Sequence, residues 1–241
     1  MRVLFLITAR AGSKRVPGKN LRRLGGISLV GFKAISAKRS RYCSSVIIST
    51  DSVEIQEEAR SHGVEAPFLR PPALASDTAT SESVVAHAMD WIERHDGRVY
   101  DAVMLLEPAA PFTRASDYDG AVALMMARDA NVVVGVSAVP VNPLFVGPLD
   151  ADGRITGIID KMNAWQDQGR PSLRTEYTMN AALYLFRWDF FKRTGRIYHD
   201  RDRTYGYLSD PHYSLEIDNP IDWDEAEFRV QHGLVNMGNW R

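Results

Sequence analysis

The feature that most constrains how this chain folds is its opening segment, Val3 to Asn20. Val3-Leu-Phe-Leu-Ile7 is a short apolar run with the length and character of a buried strand, and Thr8-Ala9 leads from it into a loop. That loop holds two glycines, Gly12 and Gly18, one proline, Pro17, and four cations, Arg10, Lys14, Arg15 and Lys19. A buried strand that ends in a stiff, cationic, glycine-containing loop is how an α/β protein offers backbone N–H groups and positive charge to phosphate at the carboxyl edge of its sheet. The plain alternative is a solvated basic turn, for which Pro17 and the paired glycines are an odd choice of residues.

Two common phosphate loops are excluded by spacing. The Walker loop needs four residues between its first glycine and the Gly-Lys pair, followed by Ser or Thr; here five residues separate Gly12 from Gly18, and Asn20 follows Lys19. The dinucleotide fingerprint, Gly-x-Gly-x-x-Gly, does not occur after the strand. The segment Ala9-Arg-Ala-Gly-Ser-Lys-Arg-Val-Pro-Gly-Lys-Asn-Leu21 instead resembles the nucleotide-binding loop of the acylneuraminate cytidylyltransferases, the CMP–sialic acid synthetases and their relatives.

Composition agrees with a single α/β domain. A chain of 241 residues with 45% hydrophobic residues suits one α/β domain with a small excursion, and a net charge of −1 argues against a general nucleic-acid binder. The single cysteine, Cys43, rules out an internal disulfide framework and fits a reducing compartment. No stretch reaches the ~20 apolar residues of a membrane helix, and the opening run is too short and too soon followed by charge for a signal peptide, so a cytoplasmic protein is expected.

Further along, helical spacing from Leu29 to Lys38 predicts a helix, and Ser45–Asp51 predicts a second buried strand with Asp51 at its carboxyl end. Asp51 or Ser52 is placed to cap the next helix. Val64–Leu69 reads as a third strand. The twelve-residue loop Arg70–Ser81 is too long for a simple connection. Its Arg-Pro-x-x-Leu-Ala-x-Asp-x-Ala pattern resembles the family's second motif, which holds the cytosine base, although Asp77 or Ser81 could serve only to cap a helix over Glu82–Arg94. Asp101–Glu107 is a fourth strand, Asp117–Arg128 a helix, and Asn131–Val139 a fifth strand. From Pro140 to Tyr177 the alternation stops in a segment with scattered proline and glycine, an Asp150–Gly153 turn and a polar run from Trp165 to Pro171.

The resemblance spans most of the chain and implies a Rossmann-like, three-layer α/β fold with a mostly parallel sheet, of the nucleotide-diphospho-sugar transferase type. Residues 1–139 and 178–241 would form the catalytic domain and residues 140–177 a dimerisation arm, with Leu144, Phe145 and Trp165 exposed for an interface. The implied reaction joins CTP to a sialic-acid-like nonulosonic acid, giving the CMP-sugar and pyrophosphate for cell-surface glycan synthesis. Carried over residue by residue, Ala9, Arg10, Gly12, Ser13, Lys19, Asn20, Arg70, Asp77, Ala79 and Ser81 would bind nucleotide. Arg10, Lys19 and Asp218 would be catalytic, and Glu107, Asn180 and Ala181 would meet the sugar.

In Ser214–Asp218, which reads as a strand, Glu216 and Asp218 are two residues apart and so share a face, a spacing suited to a hard divalent cation. The family's Asp-Ile-Asp occupies this place and binds Mg2+.

The chain departs from the family pattern with Glu107 for a glutamine, Ala109 for a threonine, Thr113 inserted before Arg114, Thr178 for an arginine, Ala181 for a glycine, and Glu216 for an aspartate. Arg174 or Lys161 could replace the arginine missing at Thr178. A glutamate at 107 keeps the acceptor oxygens but loses both amide donors and adds charge, which bears on the identity of the sugar. An eight-carbon ketosugar acid, another sugar nucleotidyltransfer, and a non-catalytic nucleotide sensor stay open at this level.

Overall fold

The computed structural model describes residues 1–169 and 171–241, apart from the side chain of Asp96, so Arg170 of the polar run lies outside the described residues. The chain divides into two compact units, Met1–Val136 with Asn180–Arg241, and Ser137–Met179.

The larger unit is built on β1 (Val3–Thr8), whose first five residues are buried. Period-two alternation sends Val3, Phe5 and Ile7 to one face of the sheet and Leu4 and Leu6 to the other, so one apolar strand serves two cores. A short hairpin, β2 (Arg23–Leu24) with β3 (Ile27–Ser28), then leads into α1 (Leu29–Arg39). Ser28 caps α1 by accepting from Gly31 N, and a Cβ at Gly31 would crowd His62 Nε2 at 2.7 Å and the capping Ser28 Oγ at 2.9 Å.

β4 (Cys43–Ser49) and α2 (Val53–Ser61) follow, and Ser52 is the cap of α2. The expected strand over Val64–Leu69 is absent. A single bridge joins Glu65 to Ile47, and Pro67, which has no N–H to donate, follows two residues later. α3 (Ser81–Asp96) is capped by Thr80, not by Asp77 or Ser81. Next come β5 (Ala102–Leu106), α4 (Ala115–Arg128) and β6 (Val132–Ala138).

The six-stranded sheet runs β4-β1-β5-β7-β6-β8, where β7 is Tyr177–Arg187 and β8 is Thr204–Leu208. β1 pairs in parallel with both β4 and β5, β6 pairs in parallel with β8, and β7 runs antiparallel to β5. Residues of α1, α2 and α4 cover one face; α3 and α6 (Trp188–Thr194) cover the other, completing three layers. Because the chain leaves β1 toward β4 and returns to its other side at β5, the order reverses at β1. Ligands of open α/β sheets bind at such a point, beyond the carboxyl ends of the strands.

Ser214–Asp218 is not a strand. It is an extended segment whose Ile217 N donates to Ala109 O at 2.7 Å and whose Ile217 side chain is fully buried. α7 (Pro220–Gln231) follows, capped by Asn219.

The smaller unit holds a tight turn at Asp150–Gly153 and a helix absent from the sequence reading, α5 (Thr156–Asp167). Trp165 and Leu144 are partly covered, contrary to expectation, while Phe145 is exposed. Trp165 Nε1 donates to Pro171 O at 2.8 Å. Lys161, one of the two candidates to replace the missing arginine, spends its ammonium on Val146 O at 2.7 Å and Pro143 O at 3.4 Å.

Candidate active site

The loops after β1 and β5 meet the Arg70–Ser81 loop and the Glu216–Asp218 segment around one cleft of about 320 Å³. The loop after β1 is held from below. Asn20, almost fully buried, donates to Arg10 O at 2.8 Å, and Asp51 Oδ1 accepts from Ala11 N at 2.9 Å, so the carboxylate at the end of β4 shapes the loop. Gly18 sits at φ +65°, a conformation that favours glycine, and Val16 is buried in the core under α1. An added Cβ at Gly12 would meet nothing, so that glycine leaves open space at the loop's tip.

Of the sequence-predicted nucleotide residues, Arg10, Lys19, Asn20, Arg70, Asp77, Ala79 and Ser81 line the cleft, and Ser13 lines its mouth beside Lys14 and Arg15. Ala9 instead is packed into the core. Glu107, Glu216 and Asp218 line the cleft, but Asn180 and Ala181 do not. Asn180 is buried against Gly135, and its Nδ2 makes no hydrogen bond among the described residues. Ala181 lies at φ +49°. This is the left-handed region in which the resembled motif carries glycine, and an alanine there is strained.

The cations are poised by internal anions. Asp77 accepts from Arg10 Nη1 at 2.8 Å and Lys14 Nζ at 2.5 Å, and those two hydrogen bonds, Lys14's first, hold its carboxyl below the ordinary range. Lys19 Nζ donates to Ile217 O at 2.7 Å and lies 3.5 Å from Asp218, which ties the loop to the acidic segment. Arg70 is buried, with Nε donating to Ser49 Oγ at 3.0 Å and Nη2 to Ser49 O. Burial brings its pKa down to about 10, still high enough to stay charged. Its role is therefore to fix the loop on β4 as well as to add positive potential.

Across the cleft the charge is negative. Burial, then the charge of Asp218, pushes the Glu216 carboxyl above its ordinary range against the pull of Lys19. Burial, then Glu216, does the same to Glu107 against Lys33 and Lys19. Carboxylates that raise one another in this way favour a cation between them. Glu216 and Asp218 offer hard oxygen donors suited to a divalent ion. No group of three or more His, Cys, Asp or Glu side chains is placed to hold a metal among the described residues, so further ligands would have to come from substrate and water.

Lys33 was missed as a site residue. It is fully buried behind the cleft on α1, with Nζ donating to Thr113 Oγ1 at 2.8 Å and Ala182 O at 3.3 Å. Burial lowers its pKa to about 7, although Glu107, Asp117 and Glu216 pull it upward. The signal was its position four residues after Leu29 and four before Ala37, on the buried face of the helix. The inserted Thr113 is its partner.

Three comparisons bear on this arrangement. The protein-family model described as Cytidylyltransferase matches residues 4–142. The CMP-N,N'-diacetyllegionaminic acid synthase of Legionella pneumophila is 31% identical over 228 residues, covering 94% of this chain and 95% of that protein. The N-acylneuraminate cytidylyltransferase of Escherichia coli is 27% identical over 93% of this chain and 51% of its own length. Among solved structures, a CMP:2-keto-3-deoxy-manno-octonic acid synthetase complexed with CTP superposes with a TM-score of 0.68 at 15% identity, covering 97% of this chain and all of that one, a likeness of fold.

Proposed function

Because this chain belongs to the cytidylyltransferase family, we propose that it couples CTP to a sialic-acid-like nonulosonic acid, releasing the CMP-sugar and pyrophosphate. The observation that carries this reading is one cleft holding a cationic strand-loop on one side and the Glu216–Asp218 carboxylates on the other, in a chain aligned over nearly its whole length with a CMP-nonulosonate synthase.

In the reaction, the sugar's anomeric hydroxyl attacks the α-phosphorus in line and pyrophosphate leaves. Positioning and charge neutralisation supply most of the catalysis. Arg10 and Lys19 neutralise phosphate oxygens, exchanging Asp77 and Asp218 for the incoming triphosphate, and Ser13 and Gly12 contribute loop contacts. The prolines of the Arg70–Ser81 loop hold its backbone for the base. Glu107 meets the sugar at the cleft floor. Asp218 and Glu216 would hold Mg2+, which would supply positive charge to offset that of the triphosphate.

The Ser137–Met179 unit exposes Val141, Phe145, Val146, Ile155 and Leu149, the last at 70%, and this apolar surface suits a homodimer interface. No described helix is long and apolar enough to cross a membrane, and the reducing environment that suits Cys43 is the cytoplasm.

Replacing Lys19 with alanine tests the phosphate assignment. Loss of one charge-stabilising group costs on the order of 3 kcal/mol, so pyrophosphate release is expected to fall by about 10²-fold with an unchanged far-UV spectrum. Near-normal turnover would refute it.

A further inference from the structure

Beside the nucleotide cleft, and sharing Ser81 and Glu107 with it, lies a smaller cavity of about 100 Å³. Its walls are Leu105, Ile197, Tyr184, Tyr198, Glu82 and Glu107. Since a water molecule's share of volume is about 30 Å³, the space holds a substituent of three or four heavy atoms, not a second sugar ring. Its position next to Glu107 places it where a group projecting from the acceptor sugar would lodge.

The chemistry of the walls is one-sided. Two carboxylates and two phenols line the cavity, and no Lys, Arg or His does. The Glu82 and Glu107 carboxylates make no hydrogen bond or ion pair to another group among the described residues, so their acceptor oxygens are open. Lys33, the buried cation behind Glu107, donates to Thr113 and Ala182 instead, so it offsets the Glu107 charge without occupying its oxygens. The Tyr184 and Tyr198 rings meet edge to face, with centroids 6.4 Å apart. Burial first, then the charge of Glu107, raises both phenols, Tyr198 to about 12, so both stay neutral. Leu105 and Ile197, both almost fully buried, are the apolar part of the wall.

Paired carboxylates beside aromatic rings, with an apolar backing and no competing cation, recognise positive charge. A neutral acetamido group can place its carbonyl oxygen on a phenol but offers the two carboxylates only one N–H and no charge, whereas an ammonium or amidinium offers several N–H donors and a positive charge. We infer that this cavity is a specificity subsite that selects an acceptor sugar acid bearing a cationic nitrogen substituent, an amine or amidine, over its neutral acylamido counterpart, with Glu82 and Glu107 as the selecting residues. The inference rests on the nucleotide-transfer reading above and adds the class of acceptor to it.

The test compares two nonulosonic acids that differ only at one carbon, one carrying an amidino group and the other an acetamido group. Pyrophosphate release with CTP gives kcat/KM for each. The wild-type protein is expected to prefer the amidino sugar at least tenfold. The isosteric variants Glu82→Gln and Glu107→Gln, checked by far-UV circular dichroism, are expected to reduce that preference to under threefold in at least one of the two. Equal or better use of the acetamido sugar, or a preference that neither substitution changes, overturns the inference and leaves the nucleotide chemistry standing. Absence of pyrophosphate release with either sugar acid overturns both.

Discussion

Replacing Lys33 with methionine should make the protein more stable at pH 6 and leave it nearly unchanged at pH 9. Lys33 is fully buried, and burial lowers its pKa from 10.5 to about 7. A folded-state pKa below the unfolded value means that the unfolded chain binds more protons between these two values, so this group's contribution makes stability rise with pH across that window. At pH 6 the cost of keeping the buried ammonium charged is roughly 5 kcal/mol, and by pH 9 about 2 kcal/mol of it remains. Methionine has a similar length and no charge. It gives up the bonds to Thr113 Oγ1 and Ala182 O, about 1 kcal/mol each. Thr113 Oγ1 still donates toward Ala110 O and Ala182 O, so no buried hydroxyl is stranded. The net gain is then about 3 kcal/mol at pH 6, falling to about zero at pH 9. Urea unfolding of both proteins at pH 6, 7.5 and 9, followed by circular dichroism, reads the difference directly. A difference independent of pH, or a variant less stable at pH 6, would refute the reasoning.

Two further outcomes follow from the site. Asp218→Asn should abolish magnesium-dependent pyrophosphate release while Glu216→Gln is milder, because the longer Glu216 can act through water; wild-type magnesium dependence in Asp218→Asn would place the ion elsewhere. The exposed apolar residues of Ser137–Met179 should make the protein a dimer by sedimentation at micromolar concentration, and a monomer there would rule out that interface.

Much of this was legible in the sequence where one residue pattern had one physical outcome. The run Val3–Thr8 has the composition of a strand buried on both faces, and it became the strand at which the sheet order reverses. Other signals were ambiguous. The alternation in Ser214–Asp218 reports an extended backbone, not a paired one; its anchor is a loop carbonyl, Ala109 O, which no local pattern reveals. Even so, the two-residue spacing brings Glu216 and Asp218 to the same cleft. Val64–Leu69 looked like a strand by composition, but pairing stops at Glu65, two residues before Pro67. Helix α5 has no side-chain cap and no fully buried residue, so it lacks a start signal, although Ile158, Met162 and Trp165 stand at helical spacing. Lys33 was hidden because a lone lysine in a helix reads as solvated. Its burial depends on Thr113 and Ala182, which approach from far along the chain.

The most direct test of the whole account is pyrophosphate release from each of the four ribonucleoside triphosphates, with magnesium, with and without a panel of nonulosonic acids. Release is expected from CTP alone among the four, and only when a sugar acid is present, in step with formation of the CMP-sugar. No release with any sugar acid, or equal release from ATP, GTP or UTP, would contradict the assignment of this cleft to cytidylyl transfer.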